Sequence, residues 1–190
     1  MAVTVRFFIA LLMAVGILRV VELGFSRHNQ VRLLKQGAKK IHEPDFCWMV
    51  VTHSVILAGA ALEVVLLRRP FIPLLAAAAC GFFLAANAMR WWVIRTLKAC
   101  WTVHVMDSTA IGIITNGPFR FIRHPNYVAV FFELLFLPLI HTAWITALIG
   151  SAAHVWVLSR RLAVEEPVLM ASGIYREKMA HKPRFLPGLF

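Results

Sequence analysis

Long apolar stretches separated by short basic segments set the pattern of this chain. Apolar residues run with little interruption over about residues 3–23, 46–67, 71–94 and 127–158. None alternates as a half-buried strand does, and each of the first three is long enough to cross a ~30 Å hydrocarbon layer at ~1.5 Å per residue. No small-residue cleavage site follows the first run, so it reads as a retained helix rather than a signal peptide. The fourth run is too long for one crossing. Pro138 and the polar pair His141-Thr142 divide it, and a proline inside a helix costs about 3 kcal/mol, so a helical hairpin with a short first arm is predicted. The expected fold is an all-α integral membrane protein of five transmembrane helices, the last two forming a hairpin. It forms one domain over residues 1–190, with N-terminal helices in 1–94 and a functional half in 95–190.

Charge decides the threading. Five crossings put residues 24–45, 95–126 and 159–190 on one side, with Arg27, Arg32, Lys39, Lys98, Arg120, Arg123, Arg160, Arg161 and Arg184 among their cations. The opposite side holds Arg6, Arg68 and Arg69. Lys and Arg gather on cytoplasmic loops, so the N-terminus is expected outside and the C-terminus in the cytoplasm. The net charge of +11 is thereby accounted for by topology, and no basic soluble face is long enough for nucleic acid. The hydrophobic share of 60% and mean hydropathy of +0.74 agree with a membrane protein. Cys47, Cys80 and Cys100 lack paired spacing, so neither a metal nor a disulfide framework is expected. The segment "SRHNQVRLLKQGAKK" fits a short surface helix stopped at Gly37 and fits a plain charged loop equally well.

Ionisable side chains inside apolar spans are costly and mark functional sites by default. Arg19 and Glu22 lie near a span end, where snorkelling to water is expected. Glu63, near the opposite end of the second span, is expected to make a structural pair. Arg90 sits beside Trp91 and Trp92, where a guanidinium below two indoles suits a polar head under an apolar tail. Glu133 follows Asn126 by seven residues, so both share one helical face leading into the turn "NGPFRFIRHPNY". In that turn Pro125 suits the first position of a helix, whose free N–H groups favour an anion. Arg123 adds a forked donor and His124 a group that titrates near neutrality. Further on, Glu165 and Glu166 follow Arg160 and Arg161. Vicinal carboxylates beside cations are either a solvated cluster or acceptors for ribose hydroxyls. An anion clamp plus a diol acceptor suggests a nucleoside that carries a carboxylate.

"GPFRFIRHPNY", a two-helix hairpin, "RRLAVEEPVL" and then Tyr175 together resemble the isoprenylcysteine carboxyl methyltransferase family of integral-membrane enzymes. "ELGFSRHNQVRLLKQGAKK", "RWWVIRTL" and the ending "PRFLPGLF" are similar to a bacterial branch that O-methylates alkylpyrones or alkylresorcinols. That branch is encoded beside type III polyketide synthases. The resemblance implies a bacterial inner-membrane enzyme using S-adenosylmethionine, bound in a cytoplasmic pocket formed by the 95–126 loop and the C-terminal tail. It implies cofactor contacts from Arg120, His124, Pro125, Tyr127, Glu165, Glu166 and Tyr175, with Glu166 at the ribose. Arg123 matches the family arginine. Arg90, Trp91, Trp92, Arg95, Trp101 and Asn126 are assigned to a lipidic substrate entering sideways from the bilayer. The branch usually reads "RTLG" and then W-x-x-R, whereas here Lys98 and Ala99 stand in the glycine region and His104 replaces the arginine.

Methyl transfer needs alignment and exclusion of water. The expected acceptor is a lipid hydroxyl such as that of a long-chain pyrone or resorcinol, which needs a base unless already acidic. The alternatives are a prenylcysteine-like carboxylate, which needs none when ionised, and a phospholipid amine, which must be neutral. Glu133 is the first candidate for that base and His104 the second; for Glu133 the competing role is a structural pair with an arginine such as Arg90 or Arg123.

Overall fold

The computed structural model describes residues 2–186, so Met1 and the last four residues of the "PRFLPGLF" ending lie outside the described residues. Helix α1 spans Ala2–Lys35. It overruns the expected end at residue 23, because no proline interrupts it and Gly24 alone does not break it. At ~1.5 Å per residue it is ~50 Å long, well beyond a hydrocarbon layer. Neither a separate surface helix nor a loop follows; the basic segment is the last third of α1 itself. Gly37 stops the helix as expected. Its φ is 93°, and the Gly37 and Ala38 N–H groups bond the Leu34 and Leu33 carbonyls at 3.1 and 3.0 Å, a Schellman closure.

Strand β1, Lys39–Lys40, then pairs antiparallel with β2, Met106–Asp107. These two-residue strands are a small exception to the all-helical expectation. They fasten the end of α1 to the long loop after the third helix.

Helix α2 spans Phe46–Leu66 and α3 spans Pro73–Leu97. With α1 they are long and apolar enough to cross a membrane, and α4, Pro125–Leu139, is a shorter apolar helix. Helix α5, Trp144–Ala171, returns beside α4 after a four-residue turn, so the hairpin forms where Pro138 and His141-Thr142 predict it. Like α1, α5 runs on past its apolar part, to Ala171, with Pro167 inside it. Helix α6, Gly173–Met179, begins at Ser172, whose hydroxyl accepts from the Tyr175 N–H.

Helix α3 packs on α4, α4 on α5, and α5 on α2. The last contact is close, since a Cβ on Gly150 would stand 2.6 Å from Ile56. Phe8, Leu12, Ala60, Val64, Phe83 and Leu137 form one core cluster, while Phe7, Leu74 and Leu148 are exposed. Large apolar faces turned outward suit a hydrocarbon surround. At the end of the bundle away from the basic loops, Glu63 accepts from the Ile145 and Thr146 N–H groups at 3.1 and 2.7 Å and pairs with Arg69 at 2.7 Å. It caps the start of α5, the structural role expected of it.

Candidate active site

The turn before α4 is held from two sides. Gly117 has φ 57°, and a Cβ there would meet the Thr96 Oγ1 at 2.4 Å, so only glycine lets the turn seat on α3. On the other side, the C-terminal tail lies along the turn. The Arg123 and His124 N–H groups donate to the Pro183 and Arg184 carbonyls at 2.9 and 3.0 Å.

Behind this clamp is a cavity of about 470 Å³, within the range of ligand sites. Arg123, His124, Pro125, Asn126 and Tyr127 form one wall; Arg161 and Glu165 of α5 and Tyr175 of α6 face them. Trp101, His104 and Arg90 complete the predicted residues that line it. The cavity continues into the bundle between α1, α2 and α5, along Val20, Met49, Val50, Leu57 and Val157.

Arg161 is the hub of the charged end. Its Nε donates to the Tyr127 hydroxyl at 2.7 Å, its Nη2 to the Val103 carbonyl at 2.5 Å, and its Nη1 stands 3.2 Å from Glu43. Burial works against its charge, yet Tyr127, Glu165 and Glu43 raise its pKa above the ordinary value. The Tyr127 hydroxyl in turn donates to Glu165. Burial likewise pushes the Tyr175 hydroxyl up to about 12, so it remains a proton donor.

The paired acids separate. Glu165 lines the cavity, whereas Glu166 lies behind the wall, bonded to His124 at 3.2 Å, Arg123 at 3.0 Å and Arg184 at 2.6 Å. The hydrogen bond from His124, and then Arg184 and Arg123, hold its carboxyl at about 2 despite burial. His104 stacks on Phe46 with ring centroids 3.9 Å apart, and its Nδ1 lies 3.2 Å from Glu43. Burial, with Lys40 nearby, lowers its pKa.

Trp91 and Trp92 are half exposed and stand off the cavity, as do Arg95 and Arg120; the Arg120 guanidinium covers the Phe121 ring instead. Arg19 and Glu22 do not snorkel. Glu22 is buried and takes a two-pronged bond from Arg90 at 3.1 and 2.6 Å, while Arg19 bridges Glu22 and Glu133. This chain of charges ties α1 to α3 and α4. Glu133 therefore pairs with Arg19, not with Arg90 or Arg123, and it stays off the cavity wall that Arg19 lines.

The chemistry of the cavity suits a zwitterionic nucleoside. Arg123 Nε and Asn126 Oδ1 are both buried without a partner among the described residues, although both side chains line the cavity. A donor and an acceptor left open at a cavity wall await a ligand. Residues 78–171 match the isoprenylcysteine carboxyl methyltransferase family.

The chain belongs to that family.

Members are membrane methyltransferases that take their methyl group from S-adenosylmethionine, so the chain is an integral-membrane protein of that enzyme class. It is also similar to the uncharacterized protein YpbQ of Bacillus subtilis, 29% identical over 152 residues that cover 80% of this chain and 89% of that one. An uncharacterized protein of Haemophilus influenzae is 26% identical over 155 residues, 80% of this chain and 88% of its own. No solved structure matches.

Sequence reasoning named Arg161 only as a cation beside the paired acids, and passed over Glu43 and the cavity histidines His53 and His154. The histidines carried a legible signal, because each lies inside an apolar span.

Proposed function

We propose that the protein methylates a hydroxyl of a membrane-embedded lipid, such as a long-chain alkylpyrone or alkylresorcinol, with S-adenosylmethionine as donor. The reading is carried by one continuous cavity that joins a charged end at Arg123, His124 and Glu165 to an apolar end between α1, α2 and α5. The donor supplies a methyl carbon activated by a sulfonium. Arg123 Nε–H suits its carboxylate, Asn126 Oδ1 its amino group, and Glu165 its ribose hydroxyls. Glu166 serves these contacts from behind, by fixing Arg123 and His124. Arg161 and Tyr127 hold Glu165 in place. The apolar end takes the lipid chain, which enters between helices from the bilayer.

In this reading the basic end faces the cytoplasm of a bacterial inner membrane, the helices make five crossings, and a type III polyketide synthase supplies the acceptor. Calorimetry of the purified protein tests the donor: S-adenosylmethionine should bind, and Glu165→Gln should weaken it by roughly 1–3 kcal/mol, the loss expected for a charged hydrogen-bond acceptor. Unchanged affinity would reject the ribose contact. Mass spectrometry of lipid extracts made with and without the protein should show a lipid gaining about one CH₂, the net result of replacing a proton by methyl. A reporter fused after Phe190 that works only outside the cytoplasm would overturn the orientation.

A further inference from the structure

Two histidines at the membrane end of the cavity have no part in the site just described. His53 on α2 and His154 on α5 both line it. Their ring centroids lie 5.5 Å apart with the planes nearly perpendicular, at 88°. The His53 Nδ1 is 2.7 Å from the Met49 carbonyl. A carbonyl only accepts, so Nδ1 carries the proton and Nε2 is left as an acceptor. His154 is 4% exposed, and neither of its ring nitrogens has a partner among the described residues. An apolar side chain would fill that place without leaving polar atoms unmet.

The surrounding wall carries apolar Leu57, Val130 and Val157, and Ser54, whose hydroxyl donates to the Val50 carbonyl. A lipid chain fits such a wall, and the imidazoles are the partners it offers to a polar head. The charged groups nearest His53 are Arg19, Arg90 and Glu22, already engaged with one another and with Glu133. The titratable group facing His154 is His53.

We propose that His53 and His154 bind the two hydroxyls of a membrane-borne, resorcinol-type acceptor, the His53 Nε2 accepting from one and His154 from the other, and that His154 takes the proton of the hydroxyl that is methylated. The proposal rests on the methyltransferase reading above. The acceptor O–H donates to a free nitrogen of His154. As the new carbon–oxygen bond forms, the O–H bond breaks and its proton passes to that nitrogen. The carbon–sulfur bond breaks with its electron pair on sulfur, and the proton then leaves to water. A neutral imidazole with an unpartnered ring nitrogen can take that proton. Glu133 is already engaged with Arg19, and His104 is held by Glu43, so neither is as free to act. The pair also selects its acceptor, because an ionised carboxylate has no proton to give to a neutral imidazole.

The test uses the full chain in phosphatidylglycerol vesicles, with a long-chain alkylresorcinol and its dimethyl ether as probes. The alkylresorcinol should raise the unfolding temperature of the wild type and the dimethyl ether should not; His154→Phe should lose that response. His154→Gln should bind S-adenosylmethionine with unchanged affinity in calorimetry. It should lower turnover of the alkylresorcinol by about 100-fold or more. The wild-type rate should fall on the acid side as the imidazole protonates, and the residual rate of the variant should lack that limb. Wild-type turnover and pH profile in His154→Gln, or no stabilisation of the wild type by the alkylresorcinol, overturns the proposal while donor binding leaves the methyltransferase reading intact. A wild type that binds no S-adenosylmethionine overturns that reading instead. If the His154 variants do not fold, His53→Gln decides, since an unchanged KM for the alkylresorcinol removes the pair.

Discussion

Replacing Glu166 by glutamine asks whether charge holds the C-terminal tail to the turn at residues 123–125. The carboxylate meets His124, Arg123 and Arg184 at once. They hold its pKa at about 2 against an ordinary 4.5, a difference of about 3 kcal/mol. Arg184 is 51% exposed, so water screens its share and about 2 kcal/mol remains. The folded-state pKa lies below the unfolded one, so this stability is complete above pH 4.5 and is lost as pH falls towards 2. Thermal unfolding in detergent should therefore show Glu166→Gln melting about 4–8 °C below the wild type at pH 7. At about pH 3 the gap should shrink to less than half, because the wild-type carboxyl is by then losing its advantage. Limited proteolysis should release the tail of the variant sooner. Equal melting temperatures at neutral pH would refute the lock, and so would a gap that does not change with acid.

Two other substitutions separate structural from chemical roles. Glu133→Gln removes one of the two carboxylates that Arg19 bridges, leaving Glu22, and should cost about 1–3 kcal/mol of stability. Its folded fraction should still turn over near the wild-type rate, and a drop of about 100-fold in that fraction would return Glu133 to the role of base. Lys98 closes α3 with φ 50° and ψ −119°, a conformation natural only to glycine. Lys98→Gly should stabilise the protein by about 1 kcal/mol in thermal unfolding; a loss would show that the lysine side chain outweighs its backbone strain.

Helix existence was legible because it rests on local pattern. The apolar runs, Pro138 and Gly37 each act within a few residues, and the hairpin and the end of α1 follow. Helix extent was less legible. Polar residues do not by themselves end a helix, so α1 and α5 continue beyond their apolar parts to Lys35 and Ala171. Partner choice was not legible at all. Arg19 and Glu133 lie 114 residues apart, and only the packing of α1 beside the hairpin decides that they meet, not Glu133 and Arg90. Adjacent residues illustrate the limit from another side. Successive positions on a helix turn by about 100°, so of Glu165 and Glu166, or of Arg90, Trp91 and Trp92, one can face the cavity squarely while its neighbours face elsewhere. Sequence states that rule, but the choice of residue belongs to the fold.

The same periodicity explains how one helix serves both ends of the cavity. His154, Val157, Leu158, Arg161, Glu165 and Leu169 all line it. Steps of three or four residues from His154 through Leu158, Arg161 and Glu165 to Leu169, with Val157 alongside, keep them on a single stripe of α5. From the imidazole of His154 among apolar side chains to the carboxylate of Glu165 among cations, the stripe runs for about 16 Å at about 1.5 Å per residue. A helix that stopped where its apolar part stops would carry His154 without Arg161 or Glu165. Its continuation to Ala171 therefore matters to function: it puts the lipid-facing histidine and the proposed donor contact on one rigid element, with their separation fixed by the helix itself. Pro167 cannot make the backbone hydrogen bond to the Ala163 carbonyl, so the ladder is intact from His154 to Arg161 and is interrupted only in the turn that carries Glu165.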